Sequence, residues 1–163
     1  MSRFRSQRNE AFFNQNSRAS QPVSLVAILR EARLSGTLCI TGKDLTSIPD
    51  DVFSDALEDG EAFWEVSPLV KLDLSFNKIA EIPHDIAMYK ELKVVKLRGN
   101  NLTTLPSVLF TECNMIKHLD VSQNSLTEIQ SDIRALLDVR EILLSENKLP
   151  TIPFDFNALE TLQ

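Results

Sequence analysis

The chain is poor in the residues on which disulfide-stapled folds, metal sites and flexible low-complexity segments depend. It has two cysteines, two histidines, four glycines and one tryptophan in 163 residues. A small secreted domain would carry more cysteine, so Cys39 and Cys113 read as free thiols of a reducing compartment. Four glycines and seven prolines exclude collagen-like and low-complexity classes. No apolar run approaches the about 20 residues of a membrane span. The best run, "VSLVAIL" at 23–29, starts late for a signal peptide and is followed at once by Arg30 and Glu31. Basic excess is missing too: net charge is −6 and the pI near 4.9, without the footprint of a nucleic-acid binder. What positive charge there is gathers early. Residues 1–20 carry Arg3, Arg5, Arg8 and Arg18 against Glu10, which is +3, so the remainder is −9. These arginines do not fall opposite Phe4, Phe12 and Phe13 as an amphipathic presequence would need. Residues 1–22 therefore read as a disordered basic tail.

Chemistry-bearing patterns are absent as well. No G-x-x-x-x-G-K-[ST], G-x-G-x-x-G or H-E-x-x-H occurs. Cofactor, metal and catalytic residues are accordingly expected to be none, and the segment is expected not to be an enzyme.

What is present is a repeat. "LVKLDLSFNKIAEIP" (69–83), "LKVVKLRGNNLTTLP" (92–106), "IKHLDVSQNSLTEIQ" (116–130) and "VREILLSENKLPTIP" (139–153) place apolar residues in the same slots. Asn77, Asn100, Asn124 and Asn147 share one slot, with gaps of 23, 24 and 23 residues. An earlier copy, "SGTLCITGKDLTSIP" at 35–49, keeps Leu38, Ile40, Leu45 and Ile48 but has Lys43 in place of Asn. The pattern L-x-x-L-x-L-x-x-N-x-L resembles the leucine-rich repeat. That resemblance implies an α/β solenoid: a horseshoe with parallel concave strands and short helical or 3₁₀ convex segments. Alternate residues such as Leu72 and Leu74 then point inward. The Asn amides satisfy turn and neighbouring-coil backbone groups that would otherwise be buried unpaired. Pro83, Pro106 and Pro153 mark the exit to the convex side, where Ile86, Val108 with Leu109, Ile133 with Leu136, and Phe156 with Leu159 are candidate anchors.

Two parts depart from the repeat within the solenoid, 23–163. "SLVAILREARLSG" reads as a capping helix over 24–34, with Ser24 as N-cap, Leu25, Ile28, Leu29 and Ala32 on one face, and Gly36 ending it. From Lys43 to Asn77 there are 34 residues, 11 more than a repeat. The excess, about 51–67, is acidic and contains Phe63 and Trp64, which fit an extended cap better than an exposed contact. Leu159 and Leu162 open a sixth, truncated repeat, so the C-terminal edge is expected to continue into further repeats.

The 23-residue period with its "I-P-x-x-h" ending resembles the Ras-group, intracellular type of leucine-rich repeat. The segment "AILREARLSGTLCITGKDLTSIPDDVF", then "EAFWE", then "LVKLDLSFNKI" resembles the N-terminal part of the leucine-rich repeat-containing protein 40 family. The matching positions are Ala32, Arg33, Ser35, Gly36, Leu38, Leu45, Pro49, Trp64 and Glu65. These resemblances imply a cytoplasmic or nuclear scaffold with a protein partner and no catalytic residues. Neither nucleic acid, membrane nor metal is expected as a partner.

Function is then expected on the concave strand face. Its outward columns read Thr37, Lys71, Val94, His118, Glu141; then Cys39, Asp73, Lys96, Asp120, Leu143; then Thr41, Ser75, Arg98, Ser122, Ser145; and last Gly42, Phe76, Gly99, Gln123, Glu146. Lys71, Asp73, Phe76, Val94, Lys96, Arg98, His118, Asp120, Glu141 and Leu143 are the candidate partner-binding residues. Phe76 would be an apolar anchor and Arg98 a hot spot. The competing reading makes Asp73, Lys96 and Asp120 a ladder of surface ion pairs. Two other roles stay open: a regulatory subunit of a phosphatase or small-GTPase complex, and the N-terminal cap of a longer solenoid whose binding repeats lie elsewhere.

Overall fold

In a computed structural model, residues 24–53 and 68–150 are described. The basic tail, most of the acidic insertion with Phe63 and Trp64, and Pro153, Phe156, Leu159 and Leu162 lie outside the described residues. The chain enters on helix α1, Leu25–Ser35. Ser24 Oγ accepts from the Ala27 N–H at 3.2 Å, which satisfies a first-turn donor that has no partner within the helix. Gly36, left-handed at φ 66°, ends the helix, and its N–H reaches the Ala32 carbonyl. The Gly36 carbonyl accepts from the N–H groups of Val70 and Lys71, tying the helix end to the sheet.

Five three-residue strands follow: β1 Thr37–Cys39, β2 Lys71–Asp73, β3 Val94–Lys96, β4 His118–Asp120 and β5 Glu141–Leu143. They form one sheet in the order β1-β2-β3-β4-β5, every pair parallel. Parallel neighbours need a crossover. It is made by 3₁₀ turns at Asp50–Phe53, His84–Met88 and Ser131–Ala135, and by a one-turn helix α2, Val108–Thr111. Strand, turn and convex segment repeat in the first four coils, and strand and turn again in the fifth, which is the leucine-rich-repeat horseshoe. Asp51, Val52 and Phe53, counted from sequence with the insertion, belong to the first coil's convex turn, and Val52 is fully buried.

Each coil fills the core with the same slots. Leu72 and Leu74 from the strand, Ile79 and Ile82 beyond the Asn, and Ile86 from the convex turn are all buried, and Val95, Leu97, Leu102, Leu105 and Leu109 repeat the set. Truncating one such residue to alanine costs about 2–5 kcal/mol. The fourth described crossover keeps Ile133 and Leu136 inside, whereas Ile142, Leu144 and Leu149 of the fifth coil are only partly buried. Phe110, beside Leu109, is also fully buried and is the largest such side chain. Tyr89 is buried as well. Its hydroxyl donates to the Val52 carbonyl and its ring lies 5.9 Å from that of Phe53, joining the first two coils on the convex side.

The Asn column holds the coils together. Asn100 Oδ1 accepts from the Ile79 N–H of the preceding coil at 3.0 Å, and its Nδ2 donates to the Leu74 carbonyl of that coil and to its own Leu97 carbonyl. Asn124 repeats this with Leu102, Leu97 and Val121, and Asn147 with Leu126, Val121 and Leu144. Each shared carbonyl therefore receives two amides, one from either coil. This explains Lys43. The Asn of a coil serves the coil before it, and the first coil follows a helix. Asn77 alone serves that coil, accepting from the Lys43 and Leu45 N–H groups and donating to the Ile40 carbonyl.

Candidate functional site

The strand register brings the candidate residues into one surface. Lys71, Val94, His118 and Glu141 are direct cross-strand neighbours, as are Asp73, Lys96, Asp120 and Leu143. Three-residue strands with the inner residue buried leave both flanking side chains outward. The sheet is pinned by the Asn column behind it, so these side chains are displayed on a fixed backbone.

The ion-pair ladder does not form. Among the described residues, no ion pair joins Lys96 to Asp73 or Asp120. Both carboxylates turn along their own strands instead. Asp73 Oδ1 accepts from the Ser75 N–H, and Asp120 Oδ1 accepts from the Ser122 N–H at 3.0 Å and the Ser122 hydroxyl at 2.6 Å. These short local bonds close a turn without ordering a long lysine side chain, which carries a large rotamer entropy. His118 Nδ1 lies 3.4 Å from Glu141 Oε2, the one cross-strand contact between ionisable side chains on this face among the described residues.

The C-terminal rim of the strands has unusual backbone. Gly42, Phe76, Gly99, Gln123 and Glu146 occupy one slot, and all have φ between 55° and 66°. That left-handed region is ordinary for glycine and an outlier for a bulky side chain. The turn into the Asn slot, held by Lys43 in the first coil, requires it in every coil. Phe76, at φ 57°, is nonetheless 56% exposed. Its ring lies over Gly99, where an added Cβ would sit 2.8 Å from Phe76 Cδ1. The Arg98 guanidinium is 5.7 Å from the ring centroid, within cation–π range. Arg98 Nε donates to Gln123 Oε1 at 3.1 Å, and Gln123 Nε2 to Glu146 Oε1 at 2.9 Å. Phe76, Arg98, Gln123 and Glu146 therefore form a connected row across four coils. Sequence reading placed Phe76 in its column but missed the backbone constraint, whose signal was two glycines in that column.

Sequence reading also left out the column at the N-terminal rim of the strands, one residue before Lys71, Val94, His118 and Glu141. It contains Val70, Lys93, Lys117 and Arg140. Backbone bonds stack these residues directly: the Lys93 N–H donates to the Val70 carbonyl, Lys117 to Lys93, and Arg140 to Lys117.

The two thiols are free and apart in kind. Cys39 is exposed on β1, and Cys113 is buried with its Sγ donating to the Ile86 carbonyl. Burial, with the charge of Glu112 beside it, pushes the Cys113 thiol up to about 11. Such a thiol is not a nucleophile at neutral pH. Among the described residues, no group of three His, Cys, Asp or Glu side chains could hold a metal ion, and no helix is long and apolar enough to cross a membrane.

Comparison with known proteins bears on the same residues. A family model described as leucine rich repeat matches residues 67–126 and 90–149, together 83 of the 163 residues. Among solved structures, the chain is similar to a leucine-rich repeat protein of Leptospira interrogans, at 22% identity and a TM-score of 0.64 over 85% of this chain and 38% of that one. It is similar to the leucine-rich repeat domain of APL1B at 23% identity and a TM-score of 0.65, covering 90% of this chain and 40% of that one. The APL1 leucine-rich repeat domain matches at 23% identity and a TM-score of 0.66, covering 86% and 34%. Likeness at this identity shows the fold. The chain spans between 34% and 40% of the length of these proteins.

Proposed function

Because the chain belongs to the leucine-rich repeat family, we propose that it is an intracellular protein–protein interaction scaffold that holds its partner on the concave strand face. The family's fold is one of protein interaction rather than catalysis, which agrees with the expectation that this segment is not an enzyme. The observation that carries the proposal is Phe76. A half-exposed aromatic held at φ 57° stores about 1–3 kcal/mol of local strain. A fixed scaffold and the Arg98 cation keep the ring in place, so little side-chain entropy is lost when a partner covers it. Lys71, Asp73, Val94, Lys96, His118, Asp120, Glu141 and Leu143 complete the contact surface around Phe76 and Arg98.

The finer reading follows the sequence. The repeats are of the Ras-group type, the N-terminal part is like that of the leucine-rich repeat-containing protein 40 family, and the protein works in the cytoplasm or nucleus. Helix α1 caps the first coil. The length of the similar solved solenoids favours a second reading, in which this part caps a longer solenoid and recognition lies in other repeats.

Affinity capture separates the two. Phe76→Ala with Arg98→Glu abolishes partner capture if these repeats recognise the partner. An unchanged set of captured proteins favours the capping role and removes the concave face of this segment as the recognition site.

A further inference from the structure

Lys93, Lys117 and Arg140 stand in one backbone ladder slot on three successive coils, and Lys71 lies beside them on β2. Strands are about 4.8 Å apart, so the four cations span about 14 Å. Among the described residues none of them makes an ion pair. Glu141 is turned to His118, and Asp73 and Asp120 to their own serines. Like charges directly opposite on neighbouring strands repel. In a chain of net charge −6, this stacked basic row has no carboxylate partner among the described residues.

We infer that Lys71, Lys93, Lys117 and Arg140 form the docking edge for an acidic, extended segment of a partner protein that crosses the N-terminal rim of β2 to β5. In an extended segment, side chains on one face recur about every 6.8 Å. Three carboxylates at alternate positions therefore span about 14 Å, the length of the row. Nucleic acid fits less well. Its backbone would bring continuous negative charge near Glu91, Asp138 and Glu141, which lie within two residues of the row in sequence, whereas a peptide places carboxylates on one face only. The inference rests on the reading of the strand face as the recognition surface, and adds the chemistry of what it takes.

The test is fluorescence anisotropy on the full chain with three labelled probes: a decapeptide alternating Glu and Ser, the same peptide with Gln for Glu, and a ten-nucleotide single-stranded RNA. The expected result is binding of the Glu peptide alone, weakening as salt is raised. Lys93→Glu with Lys117→Glu should weaken it at least tenfold, while Lys90→Glu with Lys148→Glu leaves it unchanged. Urea unfolding of the Lys93→Glu, Lys117→Glu variant should show an unreduced midpoint, since positions 93 and 117 stay alike in charge while becoming opposite to their neighbours Lys71 and Arg140. Failure of the Glu peptide to bind at low salt, equal binding to the row variant, or tighter binding of RNA through the same residues overturns the inference. If it fails while partner capture still depends on Phe76 and Arg98, the strand face stands and only the acidic assignment falls.

Discussion

Replacing Asn100 by alanine tests the inter-coil ladder, and the hydrogen bonds set the size of the effect. Asn100 is 6% exposed. Its removal leaves the Ile79 N–H without a partner, while the Leu74 carbonyl keeps Asn77 and the Leu97 carbonyl keeps Asn124. One orphaned buried donor costs about 1–3 kcal/mol, and two carbonyls that each lose one of two bonds add about 0.5–1 each. Asn100→Ala should therefore destabilise by about 2–5 kcal/mol. Asn77→Ala should exceed it by about 1 kcal/mol, because the Ile40 carbonyl and the Leu45 N–H lose the Asn side chain on which both rely. Asn147→Ala should cost about 1–2 kcal/mol, since its bonds are part-buried and water can replace them. Urea unfolding of the full chain measures all three, read as midpoint shifts at constant slope. A cost below about 1 kcal/mol at Asn100, or an Asn147 variant as damaged as the Asn77 one, would refute this account of the ladder.

Three further outcomes follow from the coil geometry. Gly99→Ala should cost about 2 kcal/mol, combining the left-handed backbone with the 2.8 Å approach to Phe76, while Gly42→Ala, with open space around it, should cost about 1. In a Phe76→Ala background the two alanines should become equal, a double-mutant cycle readable by thermal melting. Phe110→Ala should cost about 3–5 kcal/mol by urea unfolding, as expected for a large fully buried ring. Thiol titration of the folded chain with a disulfide reagent at pH 8 should find Cys39 reactive and Cys113 protected until denaturant is added. The folded pKa of Cys113, about 11, lies above its ordinary value of 9.0. The neutral thiol is thus favoured in the fold, and its contribution is complete below about pH 9 and is lost as pH rises toward 11. A Cys113→Ser variant should show a weaker alkaline loss of stability over that window.

The solenoid was legible because its determinants are periodic. Leu72, Leu74, Asn77 and Ile79 recur with a fixed spacing, and stacking identical coils converts that spacing directly into sheet register. Much less of the surface was legible. Asp73, Lys96 and Asp120 alternate in charge, and the column order suggested ion pairs. Ser75 and Ser122, two residues along the same strands, offer the carboxylates nearer and less entropically demanding partners. The burial of Phe110 was hidden because α2 differs from the 3₁₀ turns of the other described coils: the Thr111 and Glu112 N–H groups reach back four residues to the Ser107 and Val108 carbonyls, which turns a second residue inward. Lys43 looked like a defect in the pattern. It marks the coil for which no preceding coil needs an Asn.

The central claim is that recognition occurs on the concave face, and site-specific photocrosslinking addresses it most directly. A photoreactive amino acid would replace Val94 or Leu143 on the strands, and in parallel Lys90 or Asp132 on the convex side. The account predicts partner adducts from the strand positions that compete away with unlabelled chain, and none from the convex ones. Adducts formed from Lys90 or Asp132 while Val94 and Leu143 stay silent would contradict it, and would move the binding surface to the outside of the horseshoe.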